Sequence, residues 1–160
     1  MYQRILLAYD GSREGLIALR EGALLAQRCG ASVFLLSVLP ETGGARVAEA
    51  VYGGVVAQQV DSYKALLARG EAVLKQLGLT PVTRLVIGEP APQIGAFAKE
   101  IAADLVVLGH RRRSAIERWW SGGTGAYVSD YITCSLLLGR NVISDEAFEA
   151  ELRAHAAPQP

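Results

Sequence analysis

Apolar residues along this chain fall into two kinds of run, and the two kinds alternate. Short, nearly unbroken runs read as strands over Arg4–Tyr9, Ser32–Val38, Pro81–Ile87, Asp104–Leu108 and Cys134–Gly139. Between them apolar positions recur at helical spacing. Leu16, Leu19, Ala23 and Ala26 share one face of a helix that Ser12 caps and Gly30 stops. Tyr63, Leu66, Leu67, Val73, Leu74 and Leu77 mark a second helix ending at Gly78. Pro90 and Pro92 open a third, with Ile94, Phe97, Ala98 and Ile101 inward. A fourth helix is expected ahead of the last strand.

The strand runs are continuous rather than alternating, so both faces of the sheet are expected to be covered. Strands joined by helical crossovers predict an α/β fold: a doubly wound, five-stranded parallel sheet in the order 3-2-1-4-5, with helices on both faces. Such sheets bind ligands outside the carboxyl ends of their strands, where the winding reverses. With strand one central and strand four beside it, Asp10 and Gly11 face Gly109 and His110 across that crevice.

Composition narrows the picture without redirecting it. The chain has 160 residues, 51% hydrophobic and 20% charged, which suits one domain with a substantial core. Sixteen basic residues balance 16 acidic ones, so no net field attracts nucleic acid or an anionic membrane. The apolar run at Ile5–Tyr9 is too short for a signal-peptide core, and no run reaches the length of a membrane span. A cytoplasmic location is expected. Cys29 and Cys134 form no C-x-x-C pair and read as reduced, structural thiols.

The richest stretch runs from Ala103 to Arg140: a strand, a glycine, a basic loop, a glycine cluster, a helix and a strand. Glycine-containing loops that open into helices build anion sites, because helix N-terminal amides offer unpaired donors. A phosphate-bearing ligand is the first expectation. The run Arg111, Arg112, Arg113 is either part of that anion site or a solvated basic loop. Asp10 either bonds a ribose, a base or a metal bridging to phosphates, or caps the turn beside Gly11 and Ser12. His110 reads as a loop histidine, and Trp119 and Trp120 as packing residues of a core or subunit contact. The tail from Ser144 to Arg153, with Asp145, Glu146, Glu149 and Glu151, reads as a short, solvated helix before a frayed end. Its charge opposes that of the basic loop, so the tail, or the tail of a dimer partner, is expected to lie over Arg111–Arg113 and compete with anions.

Four segments in order carry a resemblance: ILLAYDGS at Ile5–Ser12, GEPAPQI at Gly88–Ile94, ADLVVLG at Ala103–Gly109 and the closing AYVSDYITCSLLLGR. Together they resemble the universal stress protein family over residues 1–141, leaving 142–160 as an acidic helical extension and tail. The resemblance implies an adenine-nucleotide-binding α/β domain, with ATP or AMP as ligand and Mg²⁺ accompanying it, in a cytoplasmic stress-response homodimer paired through strand five. It implies an adenine contact at the backbone of Val38. ATP-binding members carry G-x2-G-x9-G-[S/T] after strand four; here Gly109 and Gly122 match, Arg112 and Gly123 depart, and Thr124 falls one residue late. The site expected from the resemblance therefore comprises Asp10, Val38, Gly109, Arg111, Arg112, Gly122, Gly123 and Thr124, with no catalytic residue. The alternative is a nucleotide-independent family member that acts as a protein-interaction module for an unknown partner. No Walker loop, nucleophile elbow or paired-histidine metal motif suggests an enzyme.

Overall fold

The computed structural model describes residues 1–41, 54–109 and 128–156. Five parallel strands, β1 (Arg4–Ala8), β2 (Ser32–Pro40), β3 (Val82–Gly88), β4 (Leu105–Gly109) and β5 (Ser135–Gly139), form one sheet in the order β3-β2-β1-β4-β5. That is the doubly wound order expected from the alternation of runs. The helices are α1 (Arg13–Cys29), α2 (Val55–Gln76), α3 (Pro90–Glu100) and α4 (Asp145–Ala156). Of the crossover from β4 to β5, the described part is a 3-10 turn at Val128–Asp130 and the chain that follows it. None of the described helices is long and apolar enough to cross a membrane.

Successive residues of the central strands point to opposite faces, so an unbroken apolar run feeds two cores. Ile5, Leu7, Val33, Leu35, Leu105 and Val107 meet α1, α2 and α4 on one face. Leu6, Leu36, Val38, Val106 and Leu108 meet Ala91, Ile94, Phe97 and Ala98 of α3 and Val128 on the other. The edge strands are less covered: Val82 and Ile87 of β3 are exposed. Arg84 of β3 grips Glu100 at the end of α3 through two hydrogen bonds, of 2.5 and 2.7 Å, and lies 4.2 Å over the Phe97 ring.

Helix α1 begins as its sequence predicts. Ser12 Oγ accepts from Gly15 N at 2.9 Å, and Gly30 takes a left-handed φ of 61° at the other end. The helix lies against the sheet at backbone contact. A Cβ on Gly139 would come within 2.5 Å of Ala18 Cα, and one on Gly109 within 2.6 Å of the Glu14 carbonyl carbon. The last residues of β4 and β5, paired as Gly109↔Gly139, thus form the floor on which the first half of α1 rests.

The C-terminal helix is packed, which corrects the expectation of a solvated appendage. Phe148 is only 4% exposed and belongs to the core beneath α1, with Ile143 and Leu152 against the same cluster. Ser144 Oγ caps α4 by accepting from Ala147 N at 3.1 Å. Arg20 Nη1 of α1 pairs with Asp145 at 2.7 Å and donates to the Ile143 carbonyl, and its guanidinium lies 4.9 Å from the Phe148 ring centroid. Arg28 pairs with Glu151 at 2.9 Å. Two of the tail's carboxylates thereby face α1, where a tail over the basic loop had been expected; Arg111–Arg113 lie outside the described residues.

Two stability measurements check this packing. Phe148→Ala should cost about 3 kcal/mol in urea unfolding, the usual loss for a buried phenyl ring. The hydrogen bond from Arg84 holds the Glu100 carboxyl below its ordinary value. Its contribution is therefore complete above the normal carboxylate range and fades as pH falls through the lowered folded value. Glu100→Gln should accordingly lower Tm at neutral pH and approach the parent protein in strong acid; an offset independent of pH would rule this pair out as its source.

Candidate functional site

The winding reverses between β1 and β4, and the residues leaving those strands form the crevice. Past Ala8 the chain stays tied to β2: Tyr9 N donates to the Leu36 carbonyl at 2.9 Å, and buried Ser37 Oγ donates to the Tyr9 carbonyl at 2.8 Å. The turn therefore starts at Asp10. Asp10 Oδ1 accepts from Ser12 N at 2.9 Å and from Ser12 Oγ at 2.5 Å, and Ser12 Oγ accepts from Gly15 N. Gly11 takes φ 75° within this turn, packed against the side chain of Leu66 in α2.

Asp10 is thus a turn cap, and the cap occupies only one of its oxygens. Among the described residues nothing bonds Oδ2 of this half-buried carboxylate. An ionised carboxylate is an acceptor only, so that oxygen suits a hydroxyl or amine donor or a cation. Burial pushes the neighbouring Tyr9 phenol above its usual pKa, with Arg69 opposing and Asp10 adding to the shift. The phenol stays neutral at physiological pH.

Register places the other two described candidates at the same end of the sheet. Ala8 pairs with Leu36, which sets Val38 level with Asp10, and Leu7 pairs with Val107, which sets Gly109 level with Tyr9. The Val38 side chain is 2% exposed and packs with the α3 face of the core. Gly109 has a packing reason of its own: a Cβ there would lie 2.7 Å from both Glu14 O and Gly15 N. The same atoms that admit α1 to the sheet bring the Asp10 turn over the end of β4.

Arg111, Arg112, Gly122, Gly123 and Thr124, with His110, Arg113, Trp119 and Trp120, lie outside the described residues. The phosphate half of the expected site falls wholly among them. Within the described start of α1, Gly15 N is taken by the Ser12 side chain and Leu16 N by the Ser12 carbonyl. Among the described residues no group of three His, Cys, Asp or Glu side chains could hold a metal ion. Cys29 and Cys134 are free thiols, and burial raises the Cys134 pKa, which leaves little reactive thiolate at neutral pH.

Three contributors escaped the sequence reading. Ser37, the lone polar residue inside the apolar run of β2, anchors the Tyr9 carbonyl; its isolation was the available signal. Gly15 must lack a side chain, because a Cβ there would lie 2.5 Å from Asp10 Oδ1. Leu66, read only as a helix-face residue, also closes over Gly11.

A family model described as the universal stress protein family matches residues 1–140. The chain belongs to that family. The match stops short of α4. Among solved structures, the fold is similar to the universal stress protein UspA from Lactobacillus plantarum, at TM-score 0.69 and 24% identity, covering 87% of this chain and 98% of that one. It is also similar to a universal stress protein in complex with cAMP, at TM-score 0.63 and 23% identity, covering 88% and 99%. A third, from Archaeoglobus fulgidus in complex with dAMP, aligns at TM-score 0.65 and 21% identity, covering 87% and 98%.

Gly109→Ala should destabilise the protein by about 1–3 kcal/mol, since overpacking must push α1 off the sheet. Ser12→Ala should cost roughly 1 kcal/mol through the lost cap. Urea titrations of both variants check the pair. A neutral Gly109→Ala would mean that α1 yields freely at its first turn.

Proposed function

We propose that this universal stress protein is a non-catalytic regulator that binds an adenine nucleotide, ATP or AMP, where β1 and β4 part, and reports occupancy to a protein partner. The observation that carries the reading is the convergence of Asp10, Val38 and Gly109 at the carboxyl ends of three adjacent strands, with one Asp10 oxygen unengaged among the described residues. Family members of the same fold in complex with cAMP and dAMP support the choice of ligand. In this reading Asp10 accepts from the sugar or base and the backbone at Val38 meets the adenine. The loop beyond Gly109, with Arg111, Arg112, Gly122, Gly123 and Thr124, holds the phosphates. Backbone amides supply most of the grip on phosphate, and Arg112 replaces a glycine contact with a charge-assisted hydrogen bond.

Mg²⁺ typically binds through one or two carboxylates together with substrate phosphates; Asp10, the carboxylate in the crevice between β1 and β4, would hold it as the alternative to bonding the sugar or base. Two copies pair along β5, whose outer edge no described strand covers, and the protein works in the cytoplasm. The departures at Arg112 and Gly123 favour a second reading, in which nucleotide binding has been lost and the dimer is an interaction module.

Mass spectrometry of molecules released from the purified protein, followed by titration calorimetry with ATP, ADP and AMP with Mg²⁺, separates the two. Stoichiometric adenine nucleotide, or micromolar rebinding that Asp10→Ala weakens roughly tenfold or more, is expected. A folded protein that ignores all three nucleotides would hand the case to the interaction module. The double variant Arg112→Gly with Gly123→Ser should lose affinity where Arg112 is a ligand, and gain it where the departures had disabled the site.

A further inference from the structure

The packed C-terminal helix builds a second cleft, and none of its lining residues is among those proposed to hold the nucleotide. Its volume is about 440 Å³, within the range of small-molecule sites, and α1, β5 and α4 each supply a wall. Leu24, Leu25, Leu137 and Ile143 make the apolar lining. Glu21 and Arg28 stand at its two ends on the same stripe of α1, since residues 21, 24, 25 and 28 follow the i, i+3, i+4, i+7 spacing. The walls from α4 lie beyond the residues matched by the family model.

Its electrostatics are lopsided. Arg28 is already matched by Glu151 at 2.9 Å. Glu21 is half-buried, accepts only a 3.3 Å hydrogen bond from Asn141 N, and has no cationic partner among the described residues. The lining therefore combines an apolar body with one uncompensated carboxylate at one end. A half-buried carboxylate without a counter-ion attracts a cation, and the leucines beside it attract hydrocarbon.

We propose that this cleft is a binding site for a small organic ammonium ion with an apolar tail, its head at Glu21 and its tail along Leu24, Leu25 and Leu137 toward Arg28. Seven residues of helix separate the two ends, roughly 10 Å, which sets the length of the ligand near that of a six-carbon chain with its head group. The site is independent of the nucleotide reading and stands or falls without it.

The test is methyl-detected NMR titration of the full chain with butyl-, hexyl- and octylammonium, with hexanol and hexanoate as neutral and anionic controls. Saturable shifts should concentrate on Leu24, Leu25, Leu137 and Ile143. Affinity should rise about fourfold per added methylene up to hexyl and then level off. Glu21→Gln should weaken hexylammonium by roughly fivefold and leave hexanol unchanged, while hexanoate binds worst. Ala147→Phe, at an exposed position of α4 that lines the cleft, should block all of the compounds without unfolding the protein. Shifts that fail to saturate, that centre on other residues, or that hexanoate reproduces equally would overturn the proposal. So would an unchanged hexylammonium affinity in Glu21→Gln.

Discussion

The backbone contact between α1 and the sheet is the constraint on which the rest depends. Helices ordinarily stand off a sheet by the depth of the side chains between them; here Gly109 and Gly139 remove those side chains where α1 begins. This approach has two effects. It seals Leu7 and Val107 under the helix, with Gly22 as the close-packed residue on the helix side. It also brings the Asp10 turn over the end of β4, so packing and the candidate site share the same atoms.

The β1–α1 turn is largely self-satisfied: Asp10 engages Ser12, and Ser12 engages Gly15. A turn that consumes its own donors is stiff but is poorly suited to gripping phosphate. The proposed labour is therefore divided between a rigid half, which presents one carboxylate oxygen and the end of β2, and the glycine-containing loop after β4. In that scheme the rigid half sets which ligand fits at the base and sugar, and the loop sets how tightly phosphate is held.

The strands, both core faces and the caps of α1 were legible in the chain because each rests on local periodicity or a single capping residue, whereas the strand order followed from the rule for doubly wound sheets. β1, β2 and β4 are buried on both faces, which is why their runs are unbroken. Element ends were less legible. β2 continues to Pro40, beyond the expected end at Val38, because β3 pairs alongside it as far as Gly88. α2 starts at Val55 after Gly54 in a left-handed conformation, well before the apolar stripe that announced it. The largest miss was the packing of α4, which was expected as a solvated helix. Acidic residues dominate its sequence, and Phe148 and Leu152, one helical turn apart, were the only hint of a buried face. At the site, Asp10 announced itself by its place at a strand end. Gly15 did not, since no local pattern reveals that a helix residue must stay clear of a carboxylate from the preceding turn.

Helix α4 closes the core over a helix that lies at the other end of the chain: Arg20 reaches the Ile143 carbonyl and Arg28 reaches Glu151, each 123 residues away in sequence. Contacts of that separation form late, because the intervening chain must be ordered before closing the loop returns any free energy. During synthesis, α1 leaves the ribosome among the first elements, and its outer surface around Leu24 and Leu25 stays wet until residues 143–152 follow. A chain halted before that point would leave the Leu24 and Leu25 stripe uncovered and Arg20 and Arg28 without their C-terminal partners.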